Sequence, residues 1–168
     1  MTTYRIDAGS LTVKAHSPLH DVKTTWTKVS GTAIADADTL ATTGVTASFV
    51  VDMTAFDAGD WLKNRKLRND FQIEANPRAT FELRAVRDVV RDGPTFTATA
   101  EGVIRWRGKE VVVTLAGQGK LDPVALEATA SFGLDIRTLG LAAPKFLMIK
   151  MSNDVVIDVK LHGVAVPT

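Results

Sequence analysis

The three histidines are the residues whose type most directly suggests chemistry. His16 and His20 are four residues apart, and Asp21 follows the second of them. On a helix, this spacing would place both imidazoles on one face and would suit a metal ion. Pro18 lies between them and a strand pattern precedes them, so no helix is expected, and zinc needs three or four converging ligands. We therefore predict an exposed strand-end loop here, a solvated His162, and no metal site.

Catalytic motifs are absent from the sequence. Composition alone leaves a Ser-His-Asp triad open, but no serine lies in a G-x-S-x-G elbow. The chain has no cysteine, which excludes a cysteine nucleophile and a thiolate metal site. Neighbouring carboxylate pairs of the glycosidase kind are scarce. Gly117-Gln118-Gly119 lacks the lysine and the helix of a phosphate-binding loop, which favours a strand bend. We predict no catalytic residue and no cofactor.

One segment, from Asp60 to Phe71, concentrates basic and apolar side chains. Its basic residues are Lys63, Arg65, Lys66 and Arg68, and its apolar residues are Trp61, Leu62, Leu67 and Phe71. Three interpretations stay open: a solvated helix face, a cationic rim that meets a lipid head group, and docking on an anionic membrane surface. Nucleic acid is not expected as a partner, because the chain has no RNP motif and no broad basic face.

Length and charge limit the classes of protein to be considered. With 168 residues, the chain is expected to form one domain over positions 1–168. A net charge of +1 argues against a partner held by overall charge. The sequence shows no secretory leader and no apolar run of membrane-spanning length. We therefore expect a cytoplasmic protein, with a periplasmic protein whose leader was removed as the alternative.

Apolar and polar residues alternate with a period of two through most of the chain, which is typical of strands with one buried face. The alternating runs start near Leu11, Val45, Phe81, Phe96, Ala128 and Val155, and two further strands are expected over Lys23–Ala35 and Glu110–Leu121. Short turns join most of them, so we predict an all-β fold of about eight antiparallel strands, a sandwich or a closed barrel.

Two segments break this alternation. Asp60 to Phe71 has helical separations between Lys63, Leu67 and Phe71, which predicts a short helix across one end of the barrel. The apolar residues of this helix are expected to face the barrel mouth, as a gate. Leu139 to Met151 is apolar but contains glycine and proline, which predicts a loop packed against an apolar surface.

Several short motifs occur in a recognisable order. They are Tyr4-Arg5-Ile6-Asp7 with Ser10, then Gly59, Asn64, Leu67-Arg68, Asp70-Phe71, Pro77 and Phe81, and later Ser131-Phe132-Gly133 with Arg137-Thr138-Leu139-Gly140. In order and spacing, the chain resembles the YceI-like lipid-binding family. It departs from the family pattern at Gly9, Asn64 and Lys66, where histidine, aspartate and histidine are usual.

The resemblance implies a single antiparallel lipocalin-like barrel that binds, carries or stores a long apolar lipid without catalysis. Polyisoprenoids, isoprenoid quinones and fatty amides are the lipid classes that it implies. The residues agree, because an eight-stranded barrel has room for one small ligand. Small inward residues also leave unfilled volume; the candidates are Ala47, Ala85, Ala98, Ala100, Ala128 and Ala130.

These considerations predict a ligand-binding site inside the barrel. The predicted lining residues are Phe49, Met53, Leu67, Phe71, Phe81, Phe96, Trp106, Ala128, Ala130, Phe132, Ile136 and Phe146, and the predicted head-group contacts are Lys63, Lys66 and Arg68. The expected partners are an apolar lipid, a transiently contacted membrane surface and a second copy in a homodimer. The alternatives are an enzyme of isoprenoid or quinone metabolism that uses the same cavity, and a stress-related interaction protein with a packed barrel.

Overall fold

The alternating segments form strands in the computed structural model, which describes residues 1–38, 44–146 and 149–167, without the side chains of 145, 146 and 149. The strands are β1 (Thr2–Ala15), β2 (Val22–Trp26), β3 (Val29–Ala35), β4 (Thr46–Asp52), β5 (Phe56–Asp57), β6 (Arg78–Asp92), β7 (Thr95–Trp106), β8 (Lys109–Leu121), β9 (Ala125–Asp135), β10 (Lys145–Phe146), β11 (Ile149–Lys150) and β12 (Asp154–Ala165). Helix α1 spans Trp61–Asp70, and 3-10 turns span Ile73–Ala75 and Ile136–Leu139. Among the described residues, no helix is long and apolar enough to cross a bilayer.

Eight of these strands close into a barrel. Their order is β12-β9-β8-β7-β6-β4-β3-β1, and β12 pairs antiparallel with β1 to complete the ring. The predicted antiparallel barrel of eight strands with one short helix is therefore confirmed. The expected strand over Lys23–Ala35 is divided: β3 pairs with the start of β1, whereas β2 pairs with its end and carries β5 on its other edge.

Strand β6 contains two irregularities in its pairing with β7. The register shifts between Leu83 and Ala85, and again between Arg87 and Val90. The first shift leaves one extra residue in β6, which reverses the alternation. Ala85 is consequently exposed, so its predicted inward orientation is wrong. The extra residue lies opposite Gly102 and Glu101 of β7.

The barrel has two structurally different ends. At the terminal end, where β1 begins, Tyr4 and Leu121 are fully buried and the Tyr4 hydroxyl donates to the Asp122 carbonyl over 2.6 Å. At the opposite lid end, α1 and the turn at Ile73–Ala75 connect β5 to β6. We call residues 60–76 the lid. The segment from Leu139 to Met151 was predicted to be a loop, and its buried residues Leu139, Leu141, Ala143 and Met151 also lie at the lid end, in one cluster with Leu67 and Ile73.

The seam between β1 and β12 carries an ion pair on its outer face. His162 Nδ1 lies 2.6 Å from Asp7 Oδ1, so His162 is paired, although a solvated side chain was expected. This hydrogen bond is the main cause that raises the pKa of His162 and lowers the pKa of Asp7. The pair therefore contributes its full stabilisation between about pH 4 and pH 6.5, the ordinary pKa values of aspartate and histidine.

We predict that Asp7→Asn lowers the urea midpoint at pH 5.5 and that the difference from wild type is smaller at both pH 3 and pH 9. The stabilisation by His162 disappears as the pH rises through its raised folded-state pKa, and that by Asp7 disappears as the pH falls through its lowered one. Asp158→Asn is the control, since Asp158 lies 2.7 Å from Lys14 on the same seam. Its effect should persist at pH 9, because its partner is a lysine and not a histidine. An Asp7→Asn effect equal at all three pH values would contradict the prediction.

Candidate functional site

The interior of the barrel encloses a cavity of about 330 Å³. This volume lies at the small end of the range of about 300–1,000 Å³ that is typical of ligand pockets. All eight barrel strands contribute to the wall, and none of the described lining residues has an ionisable side chain. The only polar lining residues in the described part of the chain, tryptophan apart, are Thr80, Gln118 and Thr129. The cavity can therefore shelter apolar surface, and the described part of its wall contains no carboxylate, imidazole, amine or thiol.

Most of the predicted ligand-binding residues line this cavity. They are Phe49, Met53, Phe71, Phe81, Phe96, Trp106, Ala128, Ala130, Phe132 and Ile136. Leu67 does not reach the cavity; it is buried in the core beneath α1. Phe146 belongs to β10, and its side chain lies outside the described part of the chain. The contact of all these residues with a ligand stays a prediction.

Sequence reasoning missed several lining residues at the lid end. Trp26, Leu139 and Leu141 line the cavity there, and the Trp26 indole donates to the Met53 carbonyl over 3.1 Å. Leu139 and Leu141 belong to the apolar segment that was predicted to pack against an apolar surface. Its composition was therefore a usable signal, whereas nothing in the local pattern distinguished Trp26 from a core residue.

Two aromatic rings shape the middle of the cavity. Phe49 and Phe81 stack with ring centroids 6.1 Å apart and an interplanar angle of 15°. A Cβ atom at Gly31 would lie 2.9 Å from Phe49 Cδ1, and one at Gly102 would overlap Phe81 Cζ. Each ring therefore covers a glycine of the neighbouring strand. Because the rings lie against glycine backbone, they occupy less of the space along the barrel axis.

Helix α1 covers the lid end with only part of its apolar surface. Asp60 caps its N-terminus, since its carboxylate accepts from the Lys63 backbone N–H over 2.8 Å. Leu67 is buried and Phe71, just after the helix, lines the cavity, whereas Trp61 and Leu62 are 71% and 57% exposed.

The expectation that all apolar residues of this helix face the barrel mouth is therefore wrong. At 3.6 residues per turn, Leu62 lies about 140° around the helix from Leu67, so the two cannot share a face. Leu67 and Phe71 are one turn apart and can share one.

The residues of the family motif attach the lid to the barrel. Asn64 Oδ1 accepts from the Ala58 N–H over 2.6 Å, and Gly59 adopts a φ of +116°, which a side chain would disfavour. At the other end of the lid, Arg107 Nη1 donates to the Phe71 carbonyl over 2.6 Å. Asn64, a departure from the family pattern, thus has a structural role that needs no ligand.

The predicted head-group residues lie on the outside of the lid. Their ion-pair distances are 3.7 Å for Lys63–Asp60, 3.0 Å for Lys66–Asp70 and 3.2 Å for Arg68–Glu74. Arg68 also lies over the Phe56 ring, 5.2 Å from its centroid. None of the three lines the cavity. Their contact with a head group stays a prediction.

The histidine pair identified in the sequence lies in an exposed loop between β1 and β2. His16 Nδ1 lies 2.6 Å from Asp21 Oδ1, and the His20 carbonyl accepts from the Ser17 hydroxyl over 2.5 Å. Over residues 1–38, 44–146 and 149–167, no three His, Asp or Glu side chains are grouped so that they could hold a metal ion.

Comparison with protein families assigns this architecture. A YceI-like domain matches residues 4–163. The chain belongs to the YceI-like family. A comparison with curated protein sequences found no significant match.

Solved structures share the YceI-like fold at low sequence identity. A polyisoprenoid binding domain from Saccharophagus degradans, implicated in plant cell wall breakdown, has a TM-score of 0.76 and 16% identity over 99% of this chain and 100% of its own. BcnA of Burkholderia cenocepacia has a TM-score of 0.75 and 18% identity, covering 92% and 95%. The YceI protein of Campylobacter jejuni has a TM-score of 0.70 and 11% identity, covering 90% of each chain.

We predict that Phe71→Asp in this YceI-like protein accelerates the release of a fluorescent prenyl lipid much more than Lys66→Ala does. An unpaired charge against the apolar wall costs several kcal/mol, whereas an exposed ion pair contributes about 0–1 kcal/mol. The measurement is the off-rate after dilution, with a thermal melt to verify folding. Phe71→Leu is the control that keeps the site apolar, and its off-rate should stay close to wild type. Abolished binding in Lys66→Ala, with Phe71→Asp unaffected, would show that the basic cluster is the receptor and that the lid is not a gate.

Proposed function

We propose that this YceI-like protein binds a long apolar lipid in its barrel cavity, for carriage or storage, and catalyses no reaction. The observation that carries the proposal is a closed, unfilled barrel interior whose described lining residues have no ionisable side chain. An enzyme of lipid metabolism would need reactive groups in that wall, and an interaction protein with a packed barrel would leave no cavity. The name of the Saccharophagus degradans domain favours a polyisoprenoid, and isoprenoid quinones and fatty amides have the same apolar character.

The energetics favour an apolar chain over a polar ligand. Removal of apolar surface from water contributes about 25 cal/mol per Å², with no hydrogen bond required. A polar ligand would lose hydrogen bonds to water that this wall cannot replace. A lipid chain whose volume exceeds the 330 Å³ of the cavity can place only one portion inside, so the remainder must emerge at an end of the barrel. The lid end suits this role, because it is closed by a helix and short turns and not by continuous strands.

The outer surface of α1 supports a transient contact with anionic membranes, where such a lipid would be collected or delivered. Trp61 and Leu62 expose large apolar side chains to solvent. Lys63, Arg65 and Lys66 follow them on the same helix. Aromatic and aliphatic side chains next to basic ones are the composition that binds anionic bilayer surfaces.

We predict that Ala130→Trp weakens binding of a fluorescent prenyl probe by at least tenfold, because the indole fills space that the lipid needs. Ser131→Trp is the matched control: it adds the same ring to the neighbouring residue, which is exposed. Equilibrium titration of the delipidated proteins measures both affinities, with thermal melts to verify folding. Equal affinity in the two variants would place the ligand outside this cavity.

We also predict that the double variant Trp61→Ser, Leu62→Ser binds vesicles of anionic phospholipid several-fold more weakly than wild type. The serines remove the exposed apolar surface and keep the basic side chains. Vesicle co-sedimentation measures the binding, and vesicles of zwitterionic phospholipid are the control, on which wild type should bind weakly. Unchanged sedimentation of the variant with anionic vesicles would refute a membrane contact through α1.

A further inference from the structure

An arginine points into the barrel at the terminal end. Arg91 of β6 is the cross-strand partner of Phe96, and Phe96 lines the cavity. Side chains of directly opposed residues in an antiparallel pair lie on the same face of the sheet. Arg91 therefore extends from β6 across the interior side of the wall, just beyond the apolar lining.

The guanidinium of Arg91 is held in place by three backbone carbonyls. Nε donates to Gly93 over 2.8 Å, and Nη2 donates to Ala37 over 2.6 Å and to Leu121 over 2.8 Å. Leu121, which lines the cavity, ends β8, two strands from β6, and Ala37 follows β3, two strands away on the other side. The guanidinium therefore joins nearby strand ends at the terminal end of the barrel. This group is consequently fixed before any ligand arrives, which lowers the cost of binding.

One side of this guanidinium is unused. Arg91 Nη1 is buried and has no hydrogen-bond partner in the described part of the chain. The nearby Asp122 carboxylate is engaged by the backbone N–H groups of Val124 and Ala125, at 2.7 and 2.9 Å. A buried donor on a charged group is costly when it is unpaired, so an acceptor oxygen placed here would be favoured.

We propose that Arg91 is the head-group anchor: its Nη1 binds an anionic oxygen, phosphate or carboxylate, at one end of the lipid. The apolar chain then runs from Phe96 along the cavity toward the lid. This inference rests on the proposed function and adds the orientation and the head-group class. An anionic oxygen is favoured over a neutral one because charge-assisted hydrogen bonds are the stronger kind.

The basic residues of the lid provide the competing position for the head group. Lys63 and Lys66 already have carboxylate partners within the lid, and Arg68 lies over Phe56, outside the cavity wall. An anion bound to Lys63 or Lys66 would replace existing ion pairs in an exposed setting, where the gain is small. Arg68 Nε, like Arg91 Nη1, is buried without a hydrogen-bond partner among the described residues, but Arg68 lies at the lid and does not line the cavity. Arg91 offers a buried donor that needs no exchange of partners.

The test compares two probes with the same branched carbon skeleton, farnesyl phosphate and the saturated hydrocarbon farnesane, by displacement of a fluorescent lipid from the delipidated protein. Arg91→Met should weaken farnesyl phosphate by about 10- to 100-fold, the range for a hydrogen bond to a charged group, and leave farnesane within about twofold. Arg91→Lys should retain part of the preference for the phosphate. Arg68→Met is the matched control at the lid end and should leave both affinities unchanged.

Each other outcome contradicts the anchor. An equal loss for both probes in Arg91→Met would show that Arg91 only supports the barrel end, and a thermal melt would then report the damage. No loss for either probe, or a loss of the phosphate preference in Arg68→Met, would place the head group elsewhere. Equal wild-type affinities for phosphate and hydrocarbon would overturn the anionic preference. Failure of wild type to bind either probe would count against the proposed function itself.

Discussion

The pairing of β12 with β1 is the interaction on which the rest of the structure depends. It joins the two edges of the sheet, so that the backbone hydrogen-bonding groups of both strands are satisfied along eleven residue pairs from Tyr4↔Ala165 to Ala15↔Val155. Closure also directs one face of every barrel strand to the interior. In the regular parts of every barrel strand, each second residue therefore faces the cavity.

An interior built in this way is filled only as far as its side chains reach. Strands β9 and β8 turn small residues inward, namely Ala128, Ala130, Gly117 and Gly119. Their short side chains leave the adjacent space in the interior unfilled. Phe49 and Phe81 do not fill the gap, because each ring lies against a glycine of the adjacent strand. A cavity that remains apolar and unfilled loses dispersion contacts, and an apolar ligand restores them. The lining of the barrel would thus make more dispersion contacts with an apolar ligand than without one.

The regular parts of the fold were predictable from the sequence, and the irregular parts were not. The alternation around Phe49, Phe96 and Phe132 gave the strands and their inner faces. The bulge in β6 that exposes Ala85 has no local sequence signal, so plain alternation placed that residue inside. The basic and apolar residues of α1 predicted a helix correctly, but the rotation that exposes Trp61 depends on how Leu67 packs.

The polar groups of the molecule show the same limit. His162 and Asp7 are 155 positions apart and meet only because the barrel closes between β1 and β12. Sequence reasoning did not identify Arg91, although plain alternation from Phe81 places it inside. The second bulge of β6 reverses the effect of the first, so that Arg91 faces the same side as Phe81. A charged residue at an inward position was the available signal. Long-range pairs of this kind follow from topology and not from local pattern.

The central claim is that the barrel interior holds an apolar lipid. Native mass spectrometry of the protein purified without detergent or solvent, before and after organic extraction, tests it most directly. We expect a species heavier than the bare chain, an extract that contains a prenyl-type or fatty chain, and restoration of the heavier species when that extract is added back. A bare-chain mass before extraction that stays unchanged after incubation with long-chain lipids would contradict it.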